Sequence, residues 1–283
     1  MWWLAAVLSI ALIGWGFLSS QRILYPKRRF LPPSDPLLRY TTQVLRAPDG
    51  SAFDVWRLSP PSPRAHLVMC HGYYANRYQI LGIAQGLCAR GYDALLLELR
   101  GHGSRPGPCT LGIREAQDVG TVLAWVRSQD GDRPLPIGAF GLSMGAAVAC
   151  QAAAAFTQIT AIVADSVYAS FFHVVTINIR RLYRLPPVPF AWAAWWALQI
   201  RLGQCLGRVD PVTLAPRLRQ ALFAIQSGAD HHVRPQESAR FFERWGGPKE
   251  RWVASDVPHV GMYKRNPEQY CNRVAAFLDR ALG

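Results

Sequence analysis

The stretch Pro136-Ile-Gly-Ala-Phe-Gly-Leu-Ser-Met-Gly-Ala-Ala-Val-Ala-Cys150 joins a short apolar run, the spacing Gly-x-Ser-x-Gly and an Ala-rich, helix-forming segment. A strand that enters a helix through a sharp turn is the context in which this spacing presents a nucleophilic serine. Side chains at positions 141 and 145 would collide with the neighbouring strand and helix, which explains the two glycines. The turn holds the hydroxyl of Ser143 above the sheet edge, near the positive end of the following helix. We therefore predict that Ser143 is a nucleophile, the alternative being an ordinary strand-to-helix turn.

Apolar runs on both sides of this stretch predict strands that alternate with helices. The predicted strands are 42–45, 52–58, 66–70, 94–99, 137–140, 161–164, 221–226 and 252–254, and the predicted helices are 80–90, 113–127 and 267–282. This alternation is typical of a mostly parallel sheet with helices on both faces. The predicted fold class is therefore α/β, in a chain of 283 residues, a length at which α/β domains are commonly single.

A serine hydroxyl needs a base to take its proton, and the base needs a carboxylate that fixes its tautomer. His259, between the last strand and the last helix, is the predicted base. The predicted acid is Asp230, which follows the preceding strand, and Asp165 is its rival. All of these residues follow strands, and functional groups in parallel sheets collect beyond the carboxyl ends of the strands.

The chain order Ser143, Asp230, His259 and the turn around the serine resemble the α/β-hydrolase superfamily. His71-Gly72 after a buried strand and the loop Arg100-Gly-His-Gly-Ser104 after the next strand are similar to that superfamily as well. The resemblance runs from about residue 42 to the end of the chain. It is closest to membrane-anchored serine hydrolases of the Bem46-like and serine-aminopeptidase-like branches.

This resemblance implies an oxyanion hole built from the backbone N–H groups of Tyr73 and Met144, which would meet the charge that develops on the attacked carbonyl. The chain departs from many relatives at Glu98, where they have Asp before the Arg-Gly-His-Gly loop. That position is usually structural in the family, and His102 within the loop is expected to be a loop residue near the site.

Residues 167–209 are too long for a plain connection between strands, and we call them the lid segment. In α/β-hydrolases an insertion at this place is usually a lid. Trp192, Trp195 and Trp196 have helical spacing and are expected on one side of a helix. Two interpretations remain open for them: packing onto the sheet, or an apolar lid face that lines the acyl pocket or touches the bilayer.

The N-terminal run Trp2–Leu18 is apolar except for Ser9, and basic residues occur only after it, beginning at Arg22. A cleavable signal peptide, the alternative, should show basic residues before the run and a small-residue cleavage site after it. We therefore predict an uncleaved transmembrane anchor at 1–20, a basic juxtamembrane linker at 21–41 that contains Pro32–Pro36, and a hydrolase domain at 42–283. The basic flank predicts that this domain is cytoplasmic.

The net charge of +13 comes almost entirely from arginine, since lysine occurs only at 27, 249 and 264. The arginines are dispersed, so no nucleic-acid partner is expected. They form either a solvated basic surface or one attracted to anionic lipid head groups. Cys70 and Cys150 are expected to be buried free thiols. His231 and His232 lack companions at metal-ligand spacing, and no metal is expected.

These observations predict a serine hydrolase that cleaves a carboxylic ester or thioester, with an apolar acyl group, through an acyl-enzyme on Ser143. No cofactor is needed for this chemistry. The expected partners are a small-molecule acyl substrate, lipids included, and a membrane. A peptidase or amidase would use the same three side chains, and a non-catalytic binding protein of this fold is the alternative outside the enzymes.

Overall fold

A computed structural model describes residues 2–30 and 40–283 of the chain. The strands in these residues form a single eight-stranded sheet with the order β1-β2-β4-β3-β5-β6-β7-β8. Strands β1 and β2 are antiparallel to their neighbours, and the other strands are parallel to one another. The strand bounds are Thr41–Arg46 (β1), Ala52–Leu58 (β2), Ala65–Cys70 (β3), Tyr92–Leu97 (β4), Ile137–Leu142 (β5), Ile159–Asp165 (β6), Ala221–Ser227 (β7) and Lys249–Ala254 (β8).

Helices cover both faces of this sheet, which is why β3, β4 and β5 are buried along their whole length. One hydrophobic core lies between the sheet and α3 and α4, and a second lies between the sheet and α2 and α10. The helix bounds are Trp2–Leu24 (α1), Tyr78–Cys88 (α2), Ile113–Gln129 (α3), Met144–Ala155 (α4), Phe171–Asn178 (α5), Pro187–Leu202 (α6), Pro211–Leu214 (α7), Pro235–Arg244 (α8), Met262–Arg265 (α9) and Pro267–Leu282 (α10). A π-helical turn at Ile179–Tyr183 joins α5 to α6.

The predicted fold class is confirmed: the structure is an α/β sheet covered on both faces. The bounds of β2 and α10 are those expected, whereas β8 begins at Lys249, three residues before its predicted start. Exposed charged residues at the beginning of β8 hide that start from a search for apolar runs. Cys70 and Cys150 are buried free thiols, as predicted.

The N-terminal helix α1 packs against α6 of the lid segment. The two backbones are close at Gly16, where a Cβ atom would lie 2.6 Å from the carbonyl oxygen of Ala193. Trp15 meets the rings of Tyr183 and Phe190 edge-on, at centroid distances of 5.5 and 5.0 Å. Helix α1 continues to Leu24, beyond the predicted end of the anchor at residue 20, because its last turn is held against the domain. The predicted linker segment Pro32–Pro36 lies outside the described residues.

The opposite side of α1 is exposed and apolar. Its 23 residues are long and apolar enough to cross a membrane, with a mean hydropathy of 1.8 in the most apolar 18-residue window, of which 17% is buried. Helix α6, which packs against α1, also has an exposed apolar stripe at a spacing of four residues: Val188, Trp192, Trp196 and Ile200. We call the exposed apolar residues of α1 and this stripe the apolar face.

Candidate active site

Ser143 lies at the turn between β5 and α4, with a strained backbone at φ 52° and ψ −112°. Its neighbours leave room only for glycine. A Cβ atom at Gly141 would lie 2.2 Å from backbone atoms of Gly145, and one at Gly145 would lie 2.1 Å from the carbonyl oxygen of Cys70. The amide of Ser143 donates to the carbonyl oxygen of Asp165 at 2.8 Å, which ties the turn to β6. This is the steric arrangement that the sequence pattern predicts.

His259 and Asp230 come together in the loops that follow β8 and β7. His259 Nδ1 is 2.5 Å from Asp230 Oδ2. The other carboxylate oxygen of Asp230, Oδ1, accepts the backbone N–H groups of His232 and Val233, each at 2.8 Å. These contacts fix the carboxylate, which in turn assigns the proton of the His259 ring to Nδ1 and leaves Nε2 able to accept one.

The rival carboxylate, Asp165, is engaged elsewhere. It is fully buried at the end of β6 and accepts hydrogen bonds from Tyr270 Oη and Ser166 Oγ, both at 2.8 Å. Burial, the largest influence, raises the pKa of Asp165 to about 6. Of the two candidate acids, the structure therefore pairs Asp230, and not Asp165, with the histidine.

Ser143 and His259 line one cavity of about 710 Å³, and Tyr73 and Met144 line it as well. Within the described residues, no hydrogen bond joins the Ser143 hydroxyl to the His259 ring, and the amides of Tyr73 and Met144 have no acceptor. In enzymes without substrate, catalytic hydrogen bonds are often long and shorten only in the complex. The cavity thus contains a nucleophile candidate, a base with its acid and two unsatisfied N–H donors.

Comparison with known proteins agrees with this fold. The Hydrolase_4 family model, described as serine aminopeptidase, S33, matches residues 61–200. The esterase Pf2001 of Pyrococcus furiosus is similar to the chain with a TM-score of 0.76 and 24% identity, over 92% of this chain and 99% of the esterase. The chain therefore has the α/β-hydrolase fold.

Two further proteins are similar to the chain. The acylaminoacyl peptidase of Pyrococcus horikoshii has a TM-score of 0.66 and 15% identity, over 86% of this chain and 42% of the peptidase. The uncharacterized protein YqkD of Bacillus subtilis is 27% identical over 237 residues, which are 82% of this chain and 77% of that protein. The solved structures establish the shared fold.

The lid segment covers the cavity with α5 and the π-helical turn, and the three tryptophans do not line it. The apolar wall of the lid includes Phe171, Val174, Val175, Ile177, Ile179 and Leu182. Trp195 is 8% exposed and packs in the core against Phe172, whereas Trp192 and Trp196 are 46% and 58% exposed. The three occupy neighbouring helical positions, as their spacing predicts, but they do not share one environment, because the first and last are exposed and the middle one is buried. Trp192 and Trp196 belong to the exposed stripe of α6, whereas Trp195 lies on the side of the helix that carries its buried alanines.

The C-terminal end of α1 forms a further wall of the cavity, through Ser19, Arg22 and Ile23. The Tyr73 hydroxyl donates to the carbonyl oxygen of Ile23, and the Cys109 amide donates to that of Leu24, both at 2.7 Å. These bonds satisfy carbonyls that the end of a helix leaves without partners. They also connect α1 to the loop that carries the proposed oxyanion donor Tyr73.

Two residues beside the histidine belong to the site without any sequence motif to mark them. The His232 ring stacks on His259 at a centroid distance of 5.2 Å, and Arg181 Nη1 contacts His232 Nε2. Burial, the largest influence, and the neighbouring positive groups lower the pKa of His232, which favours the neutral ring that can accept this contact. Within the described parts of the chain, no group of three or more His, Cys, Asp or Glu side chains is arranged to hold a metal ion.

Glu98 and two histidines support the loop beneath Tyr73. His71 Nδ1 lies 2.8 Å from the carbonyl oxygen of Gly72, and its Nε2 lies 3.0 Å from Glu98 Oε1. Burial acts to raise the pKa of Glu98, but contacts with His71 and Arg77 hold it below its ordinary value. His102 is buried in this layer, where burial lowers its pKa to about 4. These side chains stabilise the loop and do not line the cavity.

Proposed function

We propose that the protein is a membrane-anchored serine hydrolase that cleaves a carboxylic ester or thioester through an acyl-enzyme on Ser143. The observation that carries the proposal is the strained turn at Ser143, which opens into the same cavity as the paired His259 and Asp230. A serine held above a sheet edge beside a base with a fixed tautomer has the arrangement that nucleophilic catalysis needs.

In this proposal, Ser143 Oγ attacks the carbonyl carbon while His259 Nε2 takes the hydroxyl proton. Asp230 keeps the imidazole oriented and stabilises its positive charge. The N–H groups of Tyr73 and Met144 stabilise the negative charge on the carbonyl oxygen. The C–O or C–S bond breaks as His259 returns the proton to the leaving alcohol or thiol. Water then attacks the acyl-serine by the same route and releases the acid.

The charges that line the cavity favour an ester over a peptide with a free amino terminus. Its lining includes three arginines and, among the described residues, no Asp or Glu. An aminopeptidase needs a carboxylate for the substrate ammonium group, and Asp230, the carboxylate beside His259, is already occupied by that histidine and two backbone amides. The family description and the acylaminoacyl peptidase still make amide cleavage the second candidate.

Labelling with a fluorophosphonate probe tests the nucleophile. The wild type should label and Ser143→Ala should not, whereas Ser128→Ala, which changes an exposed serine on α3, should label like the wild type. Turnover of p-nitrophenyl butyrate and of an aminoacyl p-nitroanilide then separates ester from amide cleavage. An unlabelled wild type that hydrolyses neither compound would leave a non-catalytic binding protein as the better interpretation.

The membrane part of the proposal rests on the apolar face and on the basic residues that follow it. Trp and aliphatic side chains at the exposed surface of α1 and α6 suit a bilayer and its interface. Arg22, Lys27, Arg28 and Arg29 follow the apolar run, which favours a cytoplasmic hydrolase domain. A reporter fused after Gly283 should be active in the cytoplasm; activity only on the other side of the membrane would overturn the orientation.

A further inference from the structure

The mouth of the active-site cavity is positively charged. Three arginines reach it from different elements: Arg22 from α1, Arg29 from the segment after α1, and Arg181 from the π-helical turn. All three are exposed, and they line the cavity that contains Ser143. A cleft lined by charges of one sign and by apolar walls concentrates the field and attracts ions of the opposite sign.

The contacts of these arginines differ from those of the structural arginines. Arg100 is paired with Asp49 and Asp118, and Arg77 with Asp54. By contrast, within the described residues none of the three cavity arginines forms an ion pair with a carboxylate. Among the described residues, Arg22 Nη1 donates to the neutral Tyr183 hydroxyl at 3.3 Å, and Arg181 Nη1 contacts the ring nitrogen Nε2 of His232. The described part of the protein therefore leaves the guanidinium charge at the cavity mouth without a neutralising partner.

The rest of the lining is suited to a hydrocarbon chain. Side chains of α5 and the π-helical turn, such as Phe171, Val175 and Ile179, form an apolar wall in the same cavity. A site with an apolar wall and unpaired guanidinium groups fits a molecule that has an acyl chain and an anionic group. Arginine is the side chain best matched to phosphate, because its planar fork can donate two parallel hydrogen bonds.

We propose that the substrate is an acyl ester whose head group bears a phosphate, with Arg22, Arg29 and Arg181 binding that phosphate. This inference rests on the proposed serine hydrolase function and adds its substrate class. The ester bond is the one cleaved: water adds its hydroxyl to the acyl carbon, and the phosphate-bearing alcohol leaves with a proton. The phosphate is a recognition element and takes no part in bond breaking.

A pair of soluble esters that differ only in charge provides the test. The full-length protein in a neutral maltoside detergent is assayed with butyryl-glycerol and with butyryl-glycerol 3-phosphate. We expect kcat/KM to favour the phosphate ester by about tenfold or more, the effect of one or two hydrogen bonds to a charged group. In the variant Arg22→Gln/Arg181→Gln this preference should fall toward one, mainly through KM.

The matched control is Arg244→Gln, which removes the same charge from an exposed position on α8 outside the cavity. Its preference should equal that of the wild type. If the double variant does not fold, two other measurements replace it: the variant Arg29→Gln, and the wild type in 0.5 M NaCl. Each should show a smaller preference for the phosphate ester than the wild type at low salt. A soluble substrate pair also excludes recruitment to anionic vesicles as the source of the effect.

Failure of the phosphate inference and failure of the proposed hydrolase function give different results. Equal kcat/KM values for the two esters, together with labelling of Ser143, would overturn the phosphate head group and leave the hydrolase intact. Absence of both labelling and hydrolysis would overturn the hydrolase itself. A preference for phosphate on long-chain esters in phosphatidylcholine vesicles, but not on the butyryl pair, would also overturn the cavity site and assign the effect to the membrane surface.

Discussion

A serine with φ at 52° is held in a conformation that costs on the order of 1–3 kcal/mol for a residue with a side chain. The surrounding structure imposes this geometry. Gly141 and Gly145 permit contact between β5, α4 and β3 that no side chain would allow, and the helix that follows is buried along most of its length. Because well packed surroundings hold Ser143 in this strained conformation, we infer that the conformation serves a function.

If the proposed mechanism holds, Asp230→Asn should lower kcat by about 10⁴, by analogy with loss of the orienting carboxylate in known serine hydrolases. The amide oxygen can still accept the N–H groups of His232 and Val233, so its NH₂ group faces His259 Nδ1 and imposes the wrong tautomer. Asp165→Asn should cost far less, because Asp165 does not contact the histidine. Steady-state kinetics with p-nitrophenyl butyrate, alongside melting temperatures, checks this ranking; the reverse order would make Asp165 the acid.

Asp165 also predicts a dependence of stability on pH. Burial raises the pKa of Asp165 from 3.8 to about 6 in the folded protein. Since the folded state holds this proton more tightly than the unfolded state, its contribution to stability is complete below about pH 4 and is lost as the pH rises through 6. From pH 4 to 7 the wild type should lose about 1–3 kcal/mol relative to Asp165→Asn.

Melting temperatures of both proteins across this pH range measure the effect. Asp165→Asn should start lower at pH 4, since it has one acceptor oxygen fewer for Tyr270 and Ser166, but the difference should shrink with rising pH. A difference that is constant from pH 4 to 7 would show that Asp165 titrates as it does in the unfolded chain.

The sequence predicts the residues whose chemistry depends on local pattern. The turn around Ser143 is readable because glycines at two fixed positions satisfy a steric need within five residues. His259 follows from chain order and position. The sequence does not decide between Asp230 and Asp165, because both follow strands and only the three-dimensional contact with His259 separates them.

At the scale of elements, the helical spacing of the tryptophans predicts α6 but does not predict which side of this helix is buried. Ala191, Ala194 and Leu198 surround Trp195 on the buried side, while Trp192 and Trp196 continue the exposed stripe. When nearly every position of a helix is apolar, its sides do not differ enough in polarity for the pattern to identify the buried one. The partner that decides the orientation is α1, which is far away in sequence.

The two environments of these tryptophans predict different effects of truncation. Trp195→Ala should cost about 3–5 kcal/mol of stability and lower activity on all substrates, because it leaves a cavity in the core. Trp196→Ala should change stability by about 0.5 kcal/mol or less, as an exposed position does. It should weaken activity on long-chain esters in vesicles and spare short soluble esters.

Melting temperature, measured together with the ratio of long-chain to short-chain activity, distinguishes a core position from one that contacts the bilayer. A large loss of stability in Trp196→Ala, or an unchanged ratio, would argue against contact between the apolar face and the bilayer. Because Trp195→Ala and Trp196→Ala remove the same side chain from one helix, the two variants differ in the environment of the residue and not in the size of the deletion.

At the scale of the whole molecule, the N-terminal helix lines the cavity that contains Ser143, in addition to its proposed role as a membrane anchor. The sequence divides into an anchor and a domain because its composition changes sharply after Leu18. Composition carries no information about the contact of Gly16 with Ala193 or about the hydrogen bond from Tyr73 to Ile23. A segment can therefore be apolar enough for a membrane and still form one wall of the cavity.

Two glycines of α1 provide the test of this role. Gly16→Leu should push α1 away from α6, because a Cβ atom there would lie 2.6 Å from the Ala193 carbonyl oxygen, whereas a Cβ atom at Gly14 has no neighbour within 4 Å. We expect Gly16→Leu to lower kcat/KM for p-nitrophenyl butyrate by about ten- to a hundredfold, since small displacements of groups around a catalytic site have effects of this size. Gly14→Leu, equally apolar, should match the wild type, and both variants should remain in the membrane fraction. Full activity of Gly16→Leu on this soluble ester would show that the cavity does not depend on the position of α1. The proposed anchor would then be the remaining role of this helix.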